Sequence, residues 1–115
     1  MKTQFNLIAV DYDDTISDRK QAWLKILSSM VEAGFEIIIV TFRKPDCDPE
    51  DLSFLAEAGY KIYFTGQKAK RPFLKKLGIK PAIWIDDSPE SVIFDYDGFK
   101  GKYKSNENQD FQLIK

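Results

Sequence analysis

Unbroken apolar runs of similar length recur along the chain: Leu7-Ile8-Ala9-Val10, Ile37-Ile38-Ile39-Val40 and Ala82-Ile83-Trp84-Ile85. A strand covered on both faces has no polar side to show, so runs that do not alternate predict buried parallel strands. Each run stops abruptly in polar residues: Asp11 after the first, Thr41 after the second, Asp86 and Asp87 after the last. The stretches between them follow a different spacing. Trp23, Ile26, Leu27, Met30 and Val31 recur at intervals of three and four, which predicts a helix over about 20–33 with Gly34 as its stop. A second helix is predicted over about 49–58, with Leu52, Leu55 and Ala56 inward and Gly59 closing it. Residues 60–65 read as a further strand. Pro72 suits the first turn of a helix over 72–77 that stops at Gly78. After the strand at 81–87, Ser88 reads as an N-cap and Pro89 as the first residue of a short helix containing Val92 and Ile93.

Two connections are polar. Residues 42–50 contain Pro45 and Pro49 and belong on the surface, and residues 66–71 form a basic loop. Beyond residue 95 the pattern fades. Residues 95–104 fit a turn and a weak edge strand, 105–110 are polar enough to be mobile, and 111–114 suit a docked terminal strand or no element at all. Strand and helix alternating in this order predict an α/β fold: a central, mostly parallel sheet with right-handed crossovers and helices on both faces. Parallel strands bring their carboxyl ends to one edge, where open sheets of this kind hold ligands. Residues far apart in sequence therefore meet in one crevice.

A chain of 115 residues makes one domain with a single core, spanning 1–115. Its net charge of −1 gives the whole molecule no strong pull toward nucleic acid or membrane. No stretch reads as a signal peptide and no apolar run reaches the length of a membrane span, so a cytoplasmic protein is expected. The single cysteine, Cys47, excludes an internal disulfide and sits among acids that favour its protonated form. With no histidine in the chain, histidine nucleophiles, bases and metal ligands are excluded. Chemistry has to come from carboxylates, hydroxyls, lysines and a metal.

The tip of the first strand is where such chemistry concentrates. In extended chain Asp11 and Asp13 point to the same side while Tyr12 points away. Carboxylates that close repel, and a bound cation keeps both ionised. Asp11, Asp13 and Thr15, then Thr41, then Lys68 or Lys70, then Asp86 and Asp87, each fall after an apolar strand or before a helix. In this order they resemble the motifs of the haloacid dehalogenase-like (HAD) superfamily, over about residues 5–94. The first motif, Asp-x-Asp-x-Thr, matches Asp11-Tyr12-Asp13-Asp14-Thr15. The second matches Thr41, the third a lysine at 68 or 70, and the fourth Asp86-Asp87. The run Ile-Asp-Asp-Ser-Pro-Glu is similar to that of the small capless phosphatases acting on phosphoproteins.

That resemblance implies a Rossmann-like three-layer sandwich and a Mg²⁺-dependent phosphomonoester hydrolase. Asp13 separates the chain from the dehalogenase branch, which lacks the second aspartate, and from the ATPase branch, which has threonine there. By the family pattern Asp11 is the nucleophile that forms an aspartyl-phosphate, and Asp13 the general acid and base. Asp11, the backbone carbonyl of Asp13, Asp86 and Asp87 hold Mg²⁺. Thr41, Arg43 and a lysine bind the phosphoryl oxygens, with Lys70 favoured over Lys68 by its separation from Asp86. Asp14 is expected to bond turn amides.

Neither the stretch after Thr15 nor that between Thr41 and Lys70 has room for a cap domain, so an open site is expected. A mutase, which must shield its intermediate from water, does not fit. Lys61, Lys68, Lys70, Arg71, Lys75, Lys76 and Lys80 cluster in sequence beside this edge, as do Arg43 and Lys44. They point to an extended or macromolecular phosphorylated substrate, such as a nucleic-acid end or nucleotide. The alternatives are a phosphoprotein phosphatase and a catalytically silent binding domain of the same fold.

Overall fold

The computed structural model describes residues 2–45 and 50–96. Cys47, most of the edge strand expected at 95–104, and the 105–115 tail lie outside these residues. Among the described residues four strands form one sheet in the order β3-β2-β1-β4: β1 (Gln4–Val10), β2 (Glu36–Thr41), β3 (Lys61–Phe64) and β4 (Pro81–Ile85). All three pairings are parallel, with Ile8 opposite both Ile37 and Ile83. The helices are α1 (Lys20–Glu32), α2 (Ser53–Glu57), α3 (Lys70–Lys76) and α4 (Glu90–Ile93).

The pleat explains why the apolar runs do not alternate. Ile8, Val10, Ile37 and Ile39 point to one face, where they pack with Leu27 of α1 and Leu55 of α2. Leu7, Ala9, Ile38 and Val40 point to the other, against Leu74 of α3. Each central strand thus needs apolar residues on both sides. The edge strand β4 is less enclosed than its sequence suggests: Ile83 is 38% exposed, because among the described residues β1 is its only strand neighbour.

Three boundaries differ from the sequence expectation. Strand β1 begins at Gln4, since Gln4 donates its N–H to the Lys80 carbonyl (2.8 Å) and its side-chain Oε1 accepts the Lys80 N–H (2.8 Å). The second helix is a 3₁₀ turn, Glu50–Leu52, followed by the five residues of α2. Helix α3 begins at Lys70 rather than at Pro72. Pro72 is accommodated there because the first-turn amides of a helix have no intrahelical partner to lose. Lys70 therefore projects from a helix, which restricts its backbone far more than a loop would.

Among the described residues no helix is long and apolar enough to cross a membrane.

Candidate metal centre

Asp11, Thr41 and Asp86 fall at the carboxyl ends of β1, β2 and β4, all on one edge of the sheet. The Asp11 N–H donates to the Ile85 carbonyl (2.9 Å), which carries the β1–β4 pairing one residue past the strand. Asp11 is consequently held by backbone as well as by packing, and only 7% of it is exposed. The chain then turns tightly. Asp13 remains extended (φ −66°, ψ 131°) and Asp14 takes a left-handed conformation (φ 60°), a region that aspartate tolerates better than most residues. Asp14 donates its own N–H to Ser17 Oγ (2.9 Å). Its carboxylate makes no bond to a turn amide among the described residues, contrary to the expected role.

Lys70 reaches into this edge from α3. Its ammonium donates to Asp11 Oδ1 (2.8 Å) and Asp86 Oδ2 (2.6 Å), and the residue is 2% exposed. Lys68 is exposed and lines a separate, larger cavity of 840 Å³, which among the described residues shares only Tyr96 with the cleft at the aspartates. Of the two candidate lysines, the fold therefore brings Lys70 to the aspartates. Asp86 is fixed on all sides: Oδ2 also accepts from Ser91 Oγ (3.2 Å), and Oδ1 accepts the Ser88 N–H (2.9 Å). Ser88 thus supplies an amide to Asp86 and makes no side-chain cap; α4 starts at Glu90 with Pro89 before it.

Asp11, Asp86 and Asp87 each present one oxygen such that the three lie within 4.8 Å of one another, close enough to bind a metal ion. The donor set is all carboxylate oxygen, which suits a hard divalent cation. Thr15 Oγ1 lies 3.3 Å from both Asp11 Oδ2 and Asp87 Oδ1, so its one proton can serve either. The electrostatics agree with a site that gains from added positive charge. Burial pushes the Asp11 carboxyl up to about 7, and its hydrogen bond with Asp87 pushes the same way; the nearby Lys70 ammonium offsets only part of this. A cleft of 160 Å³ opens on the group, lined by Asp11, Asp13, Lys70, Asp86 and Asp87 with Phe42 and Tyr96 beside them.

The remaining expected site residues form a second group. Thr41 is fully buried, and its hydroxyl contacts Asp13 Oδ2 (3.4 Å) and accepts the Arg43 N–H (3.3 Å). The Arg43 guanidinium grips Asp13 through Nε (3.0 Å) and Nη2 (2.7 Å). It also grips Asp51 through Nη1 (2.7 Å) and Nη2 (2.8 Å). These bonds, to Asp51 first and then to Asp13, hold the guanidinium even further above its ordinary pKa, and they hold the Asp51 carboxyl below its own. Burial and the Asp51 charge keep the Tyr12 phenol neutral to higher pH than usual.

Sequence reasoning missed Ser91, Asp51 and Tyr12. Ser91 and Asp51 sit in short helical turns with nothing in their spacing to mark them, and each matters through a residue remote from it in sequence or across a turn.

Comparison with family models, with curated proteins and with solved structures gives no match.

Proposed function

We propose that the chain is a capless phosphatase of the HAD type: a Mg²⁺-dependent phosphomonoester hydrolase working through an aspartyl-phosphate. One observation carries this reading, the convergence of Asp11, Asp86 and Asp87 within 4.8 Å at the carboxyl ends of β1 and β4. Lys70 meets two aspartates and a third stands beside them, so the cluster holds more negative charge than this one cation balances. Asp11, Asp86 and Asp87 are the residues that would hold Mg²⁺, and the bound ion would supply charge neutralisation and orientation for the phosphoryl oxygens.

The protein's own groups then have distinct tasks. A carboxylate oxygen of Asp11 attacks phosphorus as the bond to the leaving oxygen breaks, and Asp13 gives that oxygen its proton. Water next attacks the phosphorus of the aspartyl-phosphate, passing a proton to the Asp13 carboxylate while the bond from phosphorus to Asp11 breaks. Asp11 leaves as carboxylate and inorganic phosphate is released. Lys70 keeps Asp11 oriented and offers positive charge to the phosphoryl group, and Ser91 and the Ser88 amide keep Asp86 in place.

Of the exposed cations expected beside this edge, only Lys68 and Arg71 lie on either side of Lys70 at the start of α3; Lys61 opens β3 at the opposite edge of the sheet, and Lys75 and Lys76 lie at the other end of α3. The open cleft with Lys68 and Arg71 favours an extended anionic substrate, such as a phosphorylated nucleic-acid end, over a small neutral metabolite. The test is hydrolysis of an aryl phosphate with and without Mg²⁺, then of 3′- and 5′-phosphorylated oligonucleotides and a phosphopeptide at two salt concentrations. Turnover is expected only with the divalent ion, and chelator-resistant turnover rejects the metal assignment. A preference for oligonucleotides that weakens with salt supports the substrate class, and no preference at low salt removes it.

A second reading is favoured by one feature. The Lys70 ammonium already bridges Asp11 and Asp86, as it would in a silent domain that binds a partner through this edge. Absence of both Mg²⁺ binding by calorimetry and turnover on every phosphomonoester would select it.

A further inference from the structure

Arg43 leaves β2 two residues after Thr41, but its guanidinium does not line the 160 Å³ cleft. It lies instead between two carboxylates. Nε and Nη2 donate to the two oxygens of Asp13, and Nη1 and Nη2 donate to the two oxygens of Asp51. Its plane also sits over the Tyr12 ring, 5.3 Å from the ring centroid, and the Tyr12 hydroxyl donates to the Asp51 carbonyl (2.9 Å). Four of the five N–H bonds of the guanidinium are committed in forks. A side chain so engaged has at most one hydrogen left to offer a phosphate.

Asp13 needs such a partner. Its side chain is 47% exposed and stands on extended backbone just before the left-handed Asp14, so nothing in its own segment restrains it. A general acid works only from within hydrogen-bond reach of the atom it protonates, and misplacement of that group costs rate directly. Tyr12 is fully buried, which ties the whole assembly to the core. We infer that Arg43 is the positioning residue of Asp13, and that Asp51 is the anchor that orients Arg43. The inference rests on the phosphatase reading above and reassigns Arg43 from phosphate binding to holding the acid. It also extends the active site to a residue, Asp51, that lies outside the cleft.

The test compares wild type with Arg43→Met, Arg43→Lys and Asp51→Ala in saturating Mg²⁺. Substrates are an aryl phosphate, whose leaving oxygen needs no proton, and an alkyl phosphate, whose leaving oxygen does. For Arg43→Met, kcat on the alkyl phosphate is expected to fall about 100-fold and kcat on the aryl phosphate less than about 3-fold, following the usual worth of a general acid. KM and inhibition by inorganic phosphate stay near wild type. Asp51→Ala shows the same asymmetry at about 10-fold, although Asp51 does not line the cleft. Arg43→Lys keeps the charge but not the planar fork, so it stays close to Arg43→Met.

Raised KM and weakened phosphate inhibition with kcat intact would return Arg43 to phosphate binding and overturn the inference. Equal losses on both substrates would overturn it too. Thermal unfolding accompanies each variant; should Arg43→Met fail to fold, Asp51→Ala and Arg43→Lys decide by the same pattern. A wild-type protein without turnover on either substrate rejects the phosphatase reading and this inference with it. An active wild type with uniform losses in the variants rejects only the inference.

Discussion

Asp11→Asn separates the burden that the buried carboxylate places on the fold from the role it has in chemistry. Burial raises the Asp11 carboxyl from 3.8 to about 7. A native pKa above the unfolded one means that the native state binds the extra proton between those values, so stability falls as pH rises across that window. The contribution is fully present below 3.8 and lost as pH passes 7. At about 1.4 kcal/mol per unit, the ionised carboxylate costs the metal-free fold up to about 4 kcal/mol at pH 8 and about 1 kcal/mol at pH 4.5. Solvent entering the open cleft relaxes part of this, so the upper figure is a ceiling. Asparagine is uncharged at both pH values, keeps an acceptor for the Lys70 ammonium, and leaves the 2.6 Å contact from Lys70 to Asp86 in place. In chelator, Asp11→Asn is therefore expected to melt above wild type at pH 8, by several degrees at about 4 °C per kcal/mol, and by much less at pH 4.5. Thermal scans of both proteins at the two pH values measure this. A variant less stable than wild type at pH 8, or a gap that does not change with pH, would refute the argument that desolvation dominates at Asp11. Added Mg²⁺ should raise the wild-type midpoint and narrow the gap, since it favours the ionised carboxylate.

Lys70→Ala should abolish most turnover and lower metal-free stability by about 3–5 kcal/mol, because it strands two buried carboxylates. Lys68→Ala should change stability by less than about 0.5 kcal/mol and leave aryl-phosphate turnover near wild type; denaturant melts and a turnover assay compare the two. Asp13→Asn is expected to lose more activity on alkyl than on aryl phosphates, and equal losses would argue against its role as the acid. Leu27→Ala, which empties a fully buried position between α1 and the sheet, should cost about 2–5 kcal/mol in a urea titration and leave KM unchanged in the surviving native protein.

The α/β order, the three best-defined strands and the helix at 20–32 were legible from the sequence because they depend on local rules. A two-face-buried strand has to be apolar throughout, and a helix packed on one side has to repeat every three to four residues. The convergence of Asp11, Thr41 and Asp86 on one edge was legible too, since parallel strands leave no other place for their carboxyl ends. What the tertiary structure decided was how these side chains pair. Two lysines in one basic stretch look alike in sequence; only the start of α3 at Lys70 turns one into the cleft and leaves Lys68 in solvent. That Asp51 takes half of the Arg43 guanidinium follows from no spacing in the sequence and is decided by the fold alone. Ser91 acquires meaning only from Asp86, whose oxygen it reaches across a turn. Hydrophobic periodicity reports which face a residue occupies, whereas a hydrogen bond depends on ångström-scale distances between groups that the fold alone brings together.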